Sequence, residues 1–234
     1  QMIQIIPTLK VNNRKLNEKF YIETLGMKPL LEESAFLSLG DQSGVEKLIL
    51  EEAPSMRTRR VEGLKKLARL LIKVENPSEI EALLYQMEAL PRLFKGSRGY
   101  AFEIVSPEED VILVHAENDI RDLVPLETVP EFSSNTGIKY LSQFEVSIEV
   151  RLPEGTESLL DPEVVAKAIS FIKGQGPDLA VENNVTWDLS MLKFLVKDLD
   201  LTSLRQKFEK TGYFVPKSEK FFLGKDTNNI ELWF

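Results

Sequence analysis

The sequence predicts an α+β protein built from repeated strand-helix-strand-strand-strand (βαβββ) units arranged in two lobes. Segments with apolar residues at alternate positions are interrupted, once per unit, by a stretch of helical spacing. That order recurs four times along the chain, which chance seldom produces. The length of 234 residues also exceeds the roughly 100 to 150 of a common single core, so two compact lobes are expected.

In the first unit, Ile3, Ile5, Leu9 and Val11 alternate with Gln4, Ile6, Thr8 and Lys10, as a strand with one buried and one mixed face does. Asn12 or Asn13 then offers a side-chain acceptor to a helix start. Leu16, Phe20, Tyr21 and Leu25 fall on one helical face, and Gly26 supplies a left-handed stop. Strands follow at 28–32, 35–39 and 47–51. In the second unit, Leu70, Ile72 and Val74 lie on a strand, Asn76 opens a helix carrying Ile80, Leu83, Leu84 and Met87, and strands are expected at 92–94, 100–105 and 111–115. Residues 119–137, with Pro125, Pro130, Ser133, Ser134 and Asn135, lose the periodicity and read as a connector between lobes 1–118 and 138–234.

The third unit opens with Phe144, Val146, Ile148 and Val150. Asp161 is expected to cap a helix through Val164, Val165, Ala168, Ile169 and Ile172 that stops at Gly174 and Gly176. Strands are expected at 179–181 and 185–189. The fourth unit starts with Leu192, Phe194 and Val196, continues as a helix over 202–210 stopped at Gly212, and closes with strands at 220–223 and 229–234.

A formal charge of −8 without a concentrated Lys/Arg block gives a polyphosphate little to hold, so nucleic acid is not an expected partner. Arg57, Arg59, Arg60, Lys65 and Lys66 form the one basic cluster and read as a solvated connector. Absence of cysteine removes disulfides, thiolate nucleophiles and zinc-thiolate sites. No apolar run approaches the roughly 20 residues of a spanning helix, so no membrane partner is expected. The first residues show no secretory pattern, which points to the cytoplasm, with leaderless surface exposure as the alternative.

The strand ending at Val11, the pair Asn12 and Asn13, the helix with Phe20 and Tyr21, and Leu25, Gly26 and Met27 resemble the entry signature of the glyoxalase/dihydroxybiphenyl-dioxygenase (vicinal oxygen chelate) superfamily. The close from Asp226 to Leu232 resembles that superfamily's last turn and strand. This resemblance implies glyoxalase-like modules with curved mixed sheets. Over essentially its full length the chain, with a glyoxalase-like first half and a diverged second half, is similar to the streptococcal CppA family. Members of that family are named complement C3-degrading proteinases, so the resemblance implies a hydrolase linked to virulence, with C3 as a partner. Superfamily members often pair, which implies a homodimer.

The superfamily also implies a divalent metal held by His or Glu on the concave sheet face. In this sequence Ile6 stands where the first histidine is expected, Arg69 where the second unit's stands, and Leu113 in the place of its glutamate. An aliphatic side chain has no lone pair and arginine stays protonated, so the first lobe loses the metal site. In the second lobe Glu231 fits, Glu145 substitutes at the first strand, and Met191 replaces a histidine. No cofactor is expected, and at most these two oxygens would hold Mg²⁺ or Ca²⁺ with waters.

His115 is the sole histidine and shares strand parity with Leu113, which makes it the one candidate catalytic base. Peptidase motifs are otherwise lacking. Ser190 with Lys193, followed by Lys210, Thr211 and Gly212, superficially resembles serine-lysine enzymes, but three positions apart on a strand the two face opposite ways. Strand alternation places Glu145, Ser147, Glu149, Lys193, Glu231 and Trp233 on the second lobe's concave face as a candidate binding pocket. A C3-degrading proteinase or complement interactor is thus the reading the resemblance implies. A non-catalytic small-ligand or protein-binding module is the first alternative. A metal-dependent lyase, isomerase or dioxygenase is the second, disfavoured by Ile6, Arg69, Leu113 and Met191.

Overall fold

The structure is a computed structural model that describes residues 2–133 and 137–234; Ser134 and Asn135 of the expected connector lie outside them. The first unit comprises β1 (Met2–Val11), α1 (Arg14–Glu18) running into a π-helical turn (Lys19–Thr24), β2 (Lys28–Glu33), β3 (Phe36–Gly40) and β4 (Glu46–Glu52). Asn13 is the cap, its Oδ1 accepting the Leu16 amide at 3.0 Å. Gly26, at φ +72°, ends the helix where an added Cβ would stand 3.2 Å from Leu83. The wider i→i+5 turn changes the angular spacing between Leu16, ahead of it, and the residues within and after it. Tyr21 and Leu25 are buried, Phe20 is half-buried, and Leu16 is 56% exposed rather than inside.

The second unit comprises β5 (Leu67–Val74), α2 (Pro77–Gln86), β6 (Arg92–Gly96), β7 (Gly99–Val105), β8 (Val111–His115) and the short β9 (Val124–Pro125). Asn76 caps α2, Pro77 occupies its first turn where a missing N–H costs nothing, and Ile80, Leu83 and Leu84 are buried.

The third unit departs from expectation. It contains β10 (Phe144–Pro153) and β11 (Ile169–Gly174), with turns at 162–168 in place of the expected helix. Val164, Val165, Ile169 and Ile172 are β-branched, and parallel pairing of Ile169 with Ile148 buries Ile169 in the core while Ser170 points out. The strands expected at 179–181 and 185–189 are also replaced: this segment is held by side-chain hydrogen bonds and a bridge from Arg59 to Thr186, and only Leu189 begins a strand. The fourth unit follows the expected order with β12 (Leu189–Val196), α3 (Leu201–Lys207), β13 (Tyr213–Phe214), β14 (Leu223–Lys225) and β15 (Glu231–Trp233).

Two curved sheets result. The first runs β13-β14-β15-β12-β1-β4-β3-β2, and the second β11-β10-β5-β8-β7-β6-β9. β1 pairs antiparallel with β12, and β5 with β10, so unit one shares a sheet with unit four and unit two with unit three. Both 1–118 and 138–234 therefore supply strands to each sheet. One apolar face of each sheet feeds a common core, with Leu9, Leu50 and Phe194 from the first sheet, Ile72, Val114 and Ile148 from the second, and Ile80 and Leu83 from α2.

The basic cluster is not a solvated connector throughout. Arg57 and Arg60 are exposed, but Arg59 makes two 2.7 Å hydrogen bonds to the buried Asp178, whose carboxyl is held below its usual range chiefly by those bonds. Lys66 is 1% exposed and donates to the Val181 carbonyl at 2.6 Å; burial lowers its pKa to about 8, against the pull of Asp188 and Asp178. These bonds tie the β4–β5 connection to the 178–188 segment.

Candidate functional site

On the second sheet the polar face is built by register. Arg69 pairs with Glu149, Lys73 with Glu145, and Lys73 also with His115. Arg69 Nε and Nη2 donate to the two Glu149 oxygens at 3.0 and 2.9 Å, a two-bond fork that matches guanidinium to carboxylate. His115 is buried, and its Nδ1 accepts the Glu117 amide at 3.0 Å. Burial first, then repulsion from Lys73 and Arg69, lowers its pKa to about 4 against the opposing pull of Glu117. At neutral pH the ring is therefore uncharged.

Ser97 donates its hydroxyl to Glu117 Oε1 at 2.7 Å rather than to the imidazole, and the Arg98 amide donates to Oε2 at 2.9 Å. An added Cβ at Gly96 would lie 2.6 Å from that buried carboxylate and would have to displace it. Ser106 is spent elsewhere, its Oγ accepting the Asp110 amide at 3.0 Å. Ser190 Oγ donates to the Thr8 carbonyl at 3.2 Å, a backbone bond with no lysine in it.

The first sheet carries the second polar face. Ile6 pairs with Lys193, Thr8 with Met191, Met191 with Glu231, and Lys193 with Trp233. Lys193 Nζ sits 5.1 Å from the Trp233 ring centre and 3.6 Å from Glu46 Oε1, while Ser38 Oγ donates to Glu46 Oε2. Trp233 stacks on Phe221 at 5.6 Å, and Phe221 lies 6.2 Å from Phe214, which is 57% exposed. Beside these rings a cleft of about 310 Å³ is lined by Tyr213, Phe214, Leu223, Lys225 and Glu231. Further in, Lys10 pairs with Glu51; burial raises the Glu51 pKa, Lys10 opposes the rise, and nearby Glu231 adds to it.

The six residues expected on one concave face are thus divided. Lys193, Glu231 and Trp233 come together on the first sheet, while Glu145, Ser147 and Glu149 stand on the second with Arg69, Lys73 and His115. Because β12 pairs with β1 and not with β10, Glu145 and Glu231 do not share a sheet as a residual metal pair; Glu145 lines a separate cleft with Gln4, Ile5 and Lys47. Among the described residues no three His, Cys, Asp or Glu side chains converge as a metal-ligand set. Ile6 and Leu113 are buried hydrocarbons and Arg69 is committed to Glu149, so the residues at the superfamily's ligand positions do not fit its divalent metal.

Glu51, Lys10 and Glu117 were not singled out by sequence reasoning. Lys10 stood on the mixed face of its strand with Gln4 and Thr8, so nothing in the pattern set it apart. Glu117, two residues beyond a strand end, gave no signal either.

The chain was compared with known proteins. The family model described as CppA N-terminal matches residues 4–126, and that described as CppA C-terminal matches residues 141–234. The crystal structure of the CppA protein from Streptococcus pneumoniae TIGR4 is 66% identical, covers all of this chain and 98% of its own, and superposes with a TM-score of 0.98. At 11% identity, a Bacillus subtilis protein described as a dioxygenase covers 100% of this chain and 84% of its own with a TM-score of 0.57. A mutant glyoxalase I from Zea mays, 10% identical, covers 100% and 92% with a TM-score of 0.56. These last two show a shared glyoxalase-like fold. None of the curated proteins matches the sequence. By both family models and by the pneumococcal structure, the chain belongs to the CppA family.

Proposed function

We propose that this protein is a binding module on a glyoxalase-like scaffold, and that the polar face of the first sheet holds a planar, anionic organic ligand. The observation that carries the reading is the run of Phe214, Phe221 and Trp233 beside an open cleft, flanked by the ammonium groups of Lys193 and Lys225. Offset ring faces supply stacking area, and a cation at the rim of an apolar surface orients a carboxylate. Glu231 makes the pocket selective, since it repels an anion placed at the wrong end.

The C3-degrading activity implied by the family resemblance would need an activated nucleophile. Support for binding over cleavage comes from His115, whose Nδ1 already accepts an amide and whose pKa of about 4 makes it a poor base near neutrality. Titration with 2-naphthoate, followed by tryptophan fluorescence, is expected to saturate and to be lost in Phe214→Ala, an exposed position that leaves the core intact. In parallel, C3 incubated with the purified protein, with and without chelator and serine-protease inhibitor, is expected to stay intact. Defined C3 fragments made by the parent but not by folded His115→Gln would overturn this reading in favour of a peptidase.

A further inference from the structure

The third unit's departure from the repeat leaves a cavity on the side of the first sheet opposite the face just described. α1, α2 and α3 serve the other units, but residues 162–168 form turns where a fourth helix was expected. Between those turns and α3 lies a cleft of about 400 Å³. Its floor is the stacked pair Phe194 and Phe234, 4.7 Å apart, and Leu160, Val165 and Leu204 form its walls.

One wall of the cleft is ordered by side-chain hydrogen bonds. Asp226, 4% exposed, accepts the Leu159 amide at 2.8 Å and the Ser158 hydroxyl, and Ser158 Oγ accepts the Leu160 amide at 3.0 Å. These bonds fix the backbone of residues 158–160 along one side of the cleft. The rim is charged: Asp161, Asp198 and Asp200 line the cleft against the single ammonium of Lys207. Asp161 and Asp200 each accept one amide, from Glu163 and Ser203, which fixes their carboxylates without neutralising them.

We propose that this cleft binds a small organic cation with an apolar body, the ammonium group at the aspartate rim and the body on the Phe194 and Phe234 rings. A volume of about 400 Å³ falls in the range of small-molecule sites, and an apolar floor gives affinity that the excess of carboxylates converts into selectivity for positive charge. An anion of the same shape would meet repulsion at the rim. A neutral analogue would keep the floor contacts and lose the charge.

The probes are 4-phenylbutylamine, 4-phenylbutyrate and 4-phenylbutanol, titrated into the full chain by calorimetry with NMR mapping of the contacted residues. The amine is expected to saturate at millimolar concentration or tighter, as ligands of this size allow, and the carboxylate to bind at least about ten-fold more weakly. Added salt should weaken only the amine. The double variant Asp161→Asn, Asp198→Asn keeps acceptors in place and should weaken the amine several-fold while leaving the alcohol unchanged. Ser203→Trp, at an exposed position on α3 that lines the cleft, should fill it and abolish binding of both. Absence of saturable amine binding, equal affinity for amine and carboxylate, or unaltered binding in a folded Ser203→Trp protein would each overturn the proposal.

Discussion

Replacing His115 by Gln is expected to remove a large part of the protein's loss of stability on mild acidification. The imidazole is buried beneath Lys73 and Arg69, and its pKa is lowered to about 4 from 6.5 in the unfolded chain. For a base with a depressed folded pKa, the unfolded state binds the proton more readily. Stability is then untouched above pH 6.5 and falls as pH drops towards 4, where the native ring finally charges. Over most of that window, from pH 7 to pH 4.5, the wild-type penalty amounts to about 2 kcal/mol. Glutamine has no such titration, and its carbonyl can still accept the Glu117 amide that His115 Nδ1 accepts at 3.0 Å. Urea unfolding of parent and variant at pH 7, 5.5 and 4.5 measures the difference directly. The gap between the two curves should shift towards the variant by about 2 kcal/mol as pH falls. A gap that stays constant with pH, or an NMR titration of His115 near its ordinary value, would refute the placement of this imidazole and with it the argument that it is unfit as a general base.

Asp110 works in the opposite sense: burial lifts its pKa to about 6, against the pull of Lys65 Nζ at 2.7 Å, so the native state holds the proton more tightly than the unfolded chain. The parent therefore gains about 2 kcal/mol on going from pH 7.5 to 4.5 that Asp110→Asn lacks, a difference readable in the same unfolding series. Tyr21→Ala should cost about 3 to 5 kcal/mol, the range for a fully buried ring, and Phe20→Ala clearly less, since Phe20 is half-buried and meets Tyr21 only edge to face at 5.1 Å. Equal denaturation midpoints for the two variants would put the π-helical turn in the wrong place. Arg69→Ala should cost about 1 to 2 kcal/mol because it strands Glu149 at a site where both side chains are under a quarter exposed, and denaturant titration measures it.

Much of the local structure was legible in the sequence because it depends on neighbours a few residues away. Asn13 before an apolar helical stripe and Gly26 after it mark a helix whatever the rest of the chain does, and both ends stand where expected. The side-chain face within that helix was less secure: Tyr21 and Leu25 are buried as expected, but Leu16 is exposed and Phe20 only half-buried, because the π-helical turn changes the spacing. Val164 to Ile172 misled for a related reason. Val165, Ala168, Ile169 and Ile172 satisfy a helical period, yet pairing with β10 buries Ile169 better as a strand, and only the partner strand decides this.

The candidate site shows the same division more sharply. Alternation alone puts Lys193 and Trp233, or Glu145 and Glu149, on the polar face of their strands, because successive side chains of a strand point to opposite sides. The superfamily resemblance adds that Ile6, Arg69, Leu113 and Met191 stand where metal ligands are expected, and none of them can replace a histidine or glutamate as ligand. What alternation cannot supply is which βαβββ unit completes which sheet. Hydrogen bonds between edge strands are chemically alike for every candidate partner, so the choice between pairing consecutive units and pairing the outer two and inner two rests on the fit of whole apolar faces in the shared core. The sequence determined the units and the faces of their strands. The tertiary structure alone joined β1 to β12 and β5 to β10, separated Glu145 from Glu231, and brought Glu51 near Glu231.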